Sequence, residues 1–578
     1  MSTSGVEVLP TAPAVMMPVR EAGRDVLVGA GLLIAALIIG LATAADYGFT
    51  IDEFNTDDYG PKALAWYTAL GADRSHFETV EPFLWYYGPW YQILIALVQS
   101  FDLTDPITVR HALTFLAGIA GLAALLPIAR LSVGAWAGPI AILLCLTTGY
   151  FYGSLFFTPI DVPFLAAITW ATCAVLVMAR REVPTWPATI AAGLLTGLAM
   201  ATRTGGIITH AYLAGAMGLC ALETLLRKGR GAAEPLLQIA GRTLAAIMLA
   251  WISSIALWPW LQIGNPLRQF AIAYTHFTHN RLSFDFPHWG EIIWTDALPW
   301  SYIPGQLLAR LPEGFLVLLV LALVLAVATA ARFIGACIGR MRQGGITKLK
   351  APALVLTRAR GTLLVVAAPI VPAVFIMITR PTHYDGVRHV LFIIPMLALL
   401  AGGALLKLIV LSRRYPMITT AALIVVAAHA GSTVLTMWRL HPLEYVAINR
   451  LAGGTQNAPG RFELDYWAAA ASEAVRMLER RLDTDTSGRF ASTPARVFVC
   501  LQNRHWRADK LFRRNWILAD DRDQADFFIE TERWPCAQEA DAIVIGEVKR
   551  LGVSFARIFG NNRGREITPG PLEADLQP

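Results

Sequence analysis

Apolar runs of about twenty residues recur along this 578-residue chain, and each is long enough to cross the hydrocarbon of a bilayer as a helix. They fall at 26–45, 110–129, 133–151, 162–179, 186–203, 207–226, 236–260, 309–334, 361–379, 389–410 and 417–437. None shows the in–out alternation of a barrel strand, so the spacing predicts helices. Composition agrees: 55% of residues are hydrophobic and 16% charged, where a soluble chain carries about 25% charged residues. The first run follows Arg20 and Arg24, and Ala42-Thr43-Ala44 resembles a signal-peptidase site. It is longer than a signal core of about 7–15 residues, so we expect an uncleaved helix.

The net charge of +6 sits mainly in short gaps between runs, which points to membrane orientation rather than nucleic-acid binding. The basic gaps hold Arg130; Arg180-Arg181; Arg227, Lys228 and Arg230; the residues from Arg332 to Arg360; and Lys407 with Arg413-Arg414. With eleven spans and a cytoplasmic N-terminus, all five share one side, as expected of cytoplasmic loops. The resulting plan is a cytoplasmic tail (1–25), a membrane unit (26–438) and a soluble periplasmic unit (439–578). Within the membrane unit, 335–360 is a basic cytoplasmic loop, and 46–109, 152–161 and 261–308 are outer loops. Residues 83–101 are apolar enough for a twelfth span, but one more crossing would invert every later loop. We read them as a juxtamembrane or re-entrant outer helix, the alternative being a true crossing. The predicted fold class is therefore membrane all-α: a polytopic bundle of about 11–12 spans with outer-face juxtamembrane helices and a small C-terminal α/β domain. In that domain strands are expected at 495–500, 525–529 and 542–545, a helix at 466–482 and an irregular end after Gly560. Of six cysteines, only Cys500 and Cys536 fall in the tail; they are a disulfide candidate if it lies in an oxidising compartment.

Chemistry is expected on the outer side. Asp52 and Glu53 follow the first span, where a carboxylate can act as a general base at the membrane surface or simply solvate a helix end. Asp161 opens an otherwise apolar span, placed to cap it and to bind a ligand. Arg203 and Arg388-His389 stand at the same level, against the positive-inside trend, with Tyr384-Asp385-Gly386 alongside. Guanidinium matches phosphate oxygens in a bidentate fork, so Arg203, Arg388, His389 and Tyr384 are candidate phosphate ligands. His276, His279, Asn280 and Trp300, in a loop rich in Trp and His, suit a sugar or acceptor. No cofactor is required; a divalent metal is conceivable but not indicated, and no metal-ligating residues are assigned.

Four stretches carry a family likeness: Ile51-Asp52-Glu53; Phe156-Phe157-Thr158-Pro159-Ile160-Asp161-Val162-Pro163-Phe164; Tyr384-Asp385-Gly386-Val387-Arg388-His389 with Leu391-Phe392-Ile393-Ile394-Pro395; and Phe462-Glu463-Leu464-Asp465-Tyr466-Trp467. In order and level they resemble the GT-C glycosyltransferases, particularly the bacterial protein O-mannosyltransferase and aminoarabinose-transferase branch (family 39-like). The resemblance implies a multi-pass inner-membrane enzyme that moves a sugar from a polyprenyl-phosphate carrier, with inversion, to a lipid, polysaccharide or protein acceptor on the extracytoplasmic face. It maps the general base to Asp52, with Glu53 beside it, and the second-loop acid to Asp161. Where relatives often read Asn-Pro-Lys-Asp, this chain has Thr158 and Ile160 in place of Asn and Lys. That removes a lysine expected at the phosphate. Either Arg203 or Arg388 supplies the contact, or the donor differs, or the scaffold is repurposed. The competing readings are a transporter or flippase of a lipid-linked substrate, and a non-catalytic assembly protein on the same scaffold.

Overall fold

The computed structural model describes residues 23–80, 82–279, 283–342, 350–483, 490, 493–501, 516–536, 542–562 and 564. Every apolar run read from the sequence coincides with helix. Among the described residues, eight stretches are long and apolar enough to cross a bilayer, or nine if the pair Ala137–Leu146 and Gly149–Phe157, bent by 74°, is one span. Two features separate this count from the eleven runs. Thr204–Leu257 is a single stretch holding two helices, Ile208–Lys228 and Ala233–Leu257, with a turn at Gly229, where φ is +55°. Trp186–Met200 has only 15 residues.

Small residues bring helices close where no hydrophobic force acts between them. Gly193 and Gly197 of Trp186–Met200 lie against Ala246 and Ala250 of Ala233–Leu257. A Cβ on Gly197 would stand 2.4 Å from the Ala250 carbonyl oxygen.

The two ends of the bundle differ in chemistry. At one end the basic gaps converge. Arg130 pairs with Asp25, Arg360 with Glu223 at 3.2 Å and with the Arg180 carbonyl at 2.6 Å, and Lys228 with Glu182 at 2.7 Å. At the other end the short helix Ile51–Asp57 sits on the start of the helix Pro106–Ala123. There Arg110 binds Asp57 at 2.8 Å and His111 binds Glu53 at 2.9 Å. Residues 44–109 therefore leave and rejoin the bundle at the same end. The helix Trp90–Gln99 within them has ten residues, about 15 Å of length. That is shorter than a single helix needs to cross a bilayer.

The segment 261–308 contains, besides the helix Pro266–His279, a hairpin that the sequence reading missed. Strand β1 (Asp285–His288) pairs antiparallel with β2 (Glu291–Trp294). Trp289 and Gly290 form its turn with φ of +56° and +89°, the backbone that matches a two-residue hairpin to strand twist.

The C-terminal unit contains the helix Ala470–Asp483 packed on a five-stranded mixed sheet. The sheet comprises β3 (Arg496–Val499), β4 (Ile517–Leu518), β5 (Phe527–Thr531), β6 (Ile543–Arg550) and β7 (Val553–Gly560), in the order β4-β3-β5-β7-β6. β3 runs parallel to β4 and β5, while β7 is antiparallel to both β5 and β6. Strand β7, which the sequence reading did not assign, ends at Gly560. Leu551 and Gly552, with φ of +49° and +81°, turn the chain into it. Cys500 and Cys536 are joined by a disulfide, with Cα atoms 5.7 Å apart.

Candidate active site

Asp52 is the second residue of the helix Ile51–Asp57, whose first turn is tied by a capping box. The Thr50 hydroxyl accepts from the Glu53 amide at 3.3 Å, and the Glu53 carboxylate accepts from the Thr50 amide at 3.0 Å. Glu53 also binds His111, and its side chain is fully buried. The neighbouring acids thus divide their work. Glu53 faces inward and holds the helix. Asp52 turns outward, with 36% of its side chain exposed. The sequence pairing of Asp52 and Glu53 as joint catalytic groups is not what the geometry brings together.

The Asp52 carboxylate is gripped from two sides. Arg388 Nη1 donates to Oδ2, and the Trp467 indole N–H donates to the same oxygen at 3.1 Å. The other terminal nitrogen of Arg388 binds Asp385 at 3.0 Å, and the guanidinium lies 4.9 Å from the centre of the Tyr384 ring. Arg388 Nε is buried with no hydrogen-bond partner among the described residues. A buried guanidinium N–H without an acceptor costs free energy that an incoming anionic oxygen would recover.

Asp161 begins the helix Asp161–Met178. The Thr158 hydroxyl donates to its carboxylate at 2.9 Å and accepts from its backbone amide at 3.1 Å. Arg203 pairs with the same carboxylate and lies 5.6 Å from the Tyr87 ring centre. Burial, and then the charges around it, act on Arg203: Arg388 opposes its protonation, whereas Tyr87, Tyr384 and Asp52 favour it. The two arginine–aspartate pairs therefore form one electrostatic cluster. Burial beside Arg388, Arg203 and His383 pushes His389 well below its ordinary value.

The loop holding Arg388 is positioned in part by Tyr150, Tyr302 and Arg310, which the sequence reading did not single out. Asp385 and Gly386 have φ of +59° and +69°. A Cβ on Gly386 would come within 2.9 Å of both Arg310 Nε and the Tyr150 hydroxyl, so only glycine fits. The Tyr150 hydroxyl accepts from the Val387 amide at 3.0 Å, and the Tyr302 hydroxyl donates to the Gly386 carbonyl at 3.2 Å. Arg310 is 2% exposed; it donates to Gln306 at 2.9 Å and to the Glu463 carbonyl at 2.8 Å. Glu463 is pushed up to about 8, first by burial and next by the Asp385 charge. Burial likewise raises Asp385, with Arg388 opposing it. Arg533, from the C-terminal unit, lies 3.6 Å from the Glu463 carboxylate.

The chain leading into the C-terminal unit completes the wall. Asp465 accepts from the Tyr445 hydroxyl and from the amides of Ala469 and Ala470, at 2.9 and 3.1 Å. The Ile51 amide donates to the Trp467 carbonyl at 3.2 Å, and the Phe49 amide to the Ser472 hydroxyl at 2.9 Å. Beneath lies an aromatic floor in which Phe156 stacks between Tyr47 at 3.7 Å and Phe115 at 4.5 Å.

Of the remaining sequence candidates, His276 lies 4.7 Å from the Tyr86 ring, and Tyr87 contacts Phe277 at 4.6 Å, so the helix Pro266–His279 borders the Arg203 side. His279 is exposed and bonded to Thr278 at 2.9 Å. Trp300 is 60% exposed and is not part of the cluster. Asn280 lies outside the described residues. Among the described residues no group of three or more His, Cys, Asp or Glu is arranged to hold a metal.

No protein-family model and no curated protein matches the chain. Among solved structures, the fold is similar to ArnT from Cupriavidus metallidurans bound to undecaprenyl phosphate. The identity is 13%, the match covers 95% of this chain and 100% of that one, and the TM-score is 0.47. It is also similar to the archaeal oligosaccharyltransferase AglB from Archaeoglobus fulgidus in complex with an inhibitory peptide and a dolichol-phosphate. There the identity is 12%, the coverage 83% and 63%, and the TM-score 0.42. Both are members of the GT-C superfamily.

Proposed function

We propose that the protein is a membrane glycosyltransferase that moves a sugar from a polyprenyl-phosphate carrier to an acceptor hydroxyl at the extracytoplasmic face. The observation that carries this reading is the partly exposed Asp52 carboxylate held by Arg388, a buried guanidinium that keeps one N–H without a partner among the described residues. A base and an anion-binding cation thus stand side by side at one end of a helical bundle.

In the proposed reaction the acceptor oxygen attacks the anomeric carbon. The bond from that carbon to the carrier phosphate oxygen breaks with inversion, and the carrier leaves as the lipid phosphate. Asp52 receives the acceptor proton as the new bond forms. The leaving phosphate is already anionic and needs charge stabilisation rather than protonation. Arg388 and Arg203 supply that in a partly water-excluded setting. Asp161 orients Arg203 and Asp385 orients Arg388. Trp467 holds Asp52 so that its second oxygen faces the acceptor. Ionisable groups gathered at one end of the helical bundle favour transfer over transport.

The test is transfer by the purified protein from labelled polyprenyl-phosphate sugars to extracted acceptors. Asp52→Asn should lower transfer by at least about 10²-fold, the usual scale for a general base, with membrane insertion and donor binding retained. Arg388→Ala should weaken donor use. Full activity in Asp52→Asn would remove Asp52 from the chemistry, and translocation of the donor without transfer would replace the reading by a flippase.

A further inference from the structure

The C-terminal sheet contains a cavity of about 380 Å³ at the end of β5, β6 and β7, within the range of about 300–1,000 Å³ typical of small-molecule sites. Two of its lining side chains on one face of the sheet carry buried polar atoms without a partner among the described residues: Glu530 Oε2 and Ser554 Oγ. Glu530 is 5% exposed. Buried polar atoms in folded proteins are nearly always paired, so two orphans on one wall call for a ligand or ordered water.

The lining chemistry narrows the class. The sheet register sets Arg557 opposite both Glu530 and Glu547, yet its contacts to them are long, 3.5 Å each, and Lys549 stands 3.9 Å from Glu547. With Glu532, which burial raises to about 7, the carboxylate charges come close to balancing the two cations, which favours neither an anion nor a cation. The carboxylates are not arranged to hold a metal, and the two cations disfavour an organic cation. Carboxylate acceptors, cationic donors and hydroxyls able to do either match a ligand that donates and accepts at many points without net charge.

We propose that this cavity is a saccharide-binding site of the C-terminal unit, taking a neutral sugar residue, with Glu530 and Ser554 as its direct contacts. The site is separate from the Asp52 cluster and stands whether or not the transferase reading holds.

The full-length protein in lipid nanodiscs would be titrated by calorimetry with the methyl glycosides of glucose, mannose and galactose, and with inorganic phosphate and ethylammonium. At least one glycoside should bind, and the two ions should not. Glu530→Gln and Ser554→Ala should each weaken that binding by about tenfold, the scale of one lost hydrogen bond, whereas Asp52→Asn should leave it unchanged. Ser554→Ala, at a half-buried position, decides the matter if Glu530→Gln fails to fold. Binding of none of the glycosides overturns the proposal, as does equal binding of either ion or affinity untouched by substitution in the cavity. Loss of binding in Asp52→Asn would place the sugar in the other site and overturn it too.

Discussion

Adjacent carboxylates at 52 and 53 have opposite surroundings, and the difference makes separable predictions. Glu53 closes a capping box and holds His111 in a site with no exposure. Glu53→Gln should therefore destabilise the fold by about 1–3 kcal/mol, the cost of breaking a buried hydrogen-bonded network. It should leave the turnover of the folded fraction close to that of the unsubstituted protein. Thermal unfolding in detergent alongside specific activity checks this; a Glu53→Gln protein of unchanged melting temperature would contradict the structural role. A second prediction concerns pH. Glu463 is raised to about 8 by burial and by the Asp385 charge, and Asp385 is raised as well. These carboxyls bind protons more tightly when folded than when unfolded. Their contribution is complete below the ordinary carboxylate range, near 4, and is lost as the pH rises through about 8. The melting temperature should fall between pH 5 and pH 9, and Glu463→Gln should flatten the decline. An identical slope in Glu463→Gln would assign the pH dependence to other groups.

At the scale of elements, close approach decides what the helices can tolerate. In Gly197→Val the new side chain would meet the Ala250 carbonyl and the Ser253 hydroxyl, forcing Trp186–Met200 away from Ala233–Leu257. Overpacking of this kind costs about 1–3 kcal/mol. Gly218→Val, at a glycine of Ile208–Lys228 with nothing within 4 Å, is the control and should be nearly neutral. Comparable melting temperatures for the two variants would mean that the helix pair is not closely packed. The Gly193-to-Gly197 spacing was open to view in the sequence as a small-residue interface, but its partner helix was not. The hairpin β1–β2 was harder to see. Asp285-Phe286-Pro287-His288 has a proline and a charge where a strand pattern would be sought, and the turn is Trp289-Gly290 rather than the commoner Asn-Gly. Strand β7 had a visible signal, the apolar Val553, Phe555 and Ile558 beyond a Leu551-Gly552 turn.

For the whole molecule, the C-terminal unit is built into the cluster rather than hung beside it. Trp467 binds Asp52, the Phe49 amide binds Ser472, and Arg533 reaches Glu463. The disulfide Cys500–Cys536 closes a separation of 36 residues within the sheet unit, worth about 4 kcal/mol in the chain-entropy description. Replacing both cysteines by serine should lower the stability of the sheet, seen as faster proteolysis there, while the helices remain protected. Uniform loss of protection across the whole chain would show that the two units unfold as one. Buried contacts between the units make some coupling inevitable, so the comparison of the two regions is the measurement that counts.

The apolar runs and the alternating basic gaps were sufficient to establish helices, their approximate bounds and the end of the bundle where acids and arginines gather. These are local properties, set by hydrophobic length and charge. They also marked Asp52, Asp161, Arg203 and Arg388 as residues out of keeping with their surroundings. What the sequence could not supply is partnership. That Arg388 takes Asp52 and Asp385, that Arg203 takes Asp161, and that Tyr150, Tyr302 and Arg310 hold the loop beneath depend on segments far apart in the chain meeting at one place. A hydrogen bond is a matter of a few tenths of an ångström and of direction, and only the packed tertiary structure determines which donors and acceptors meet.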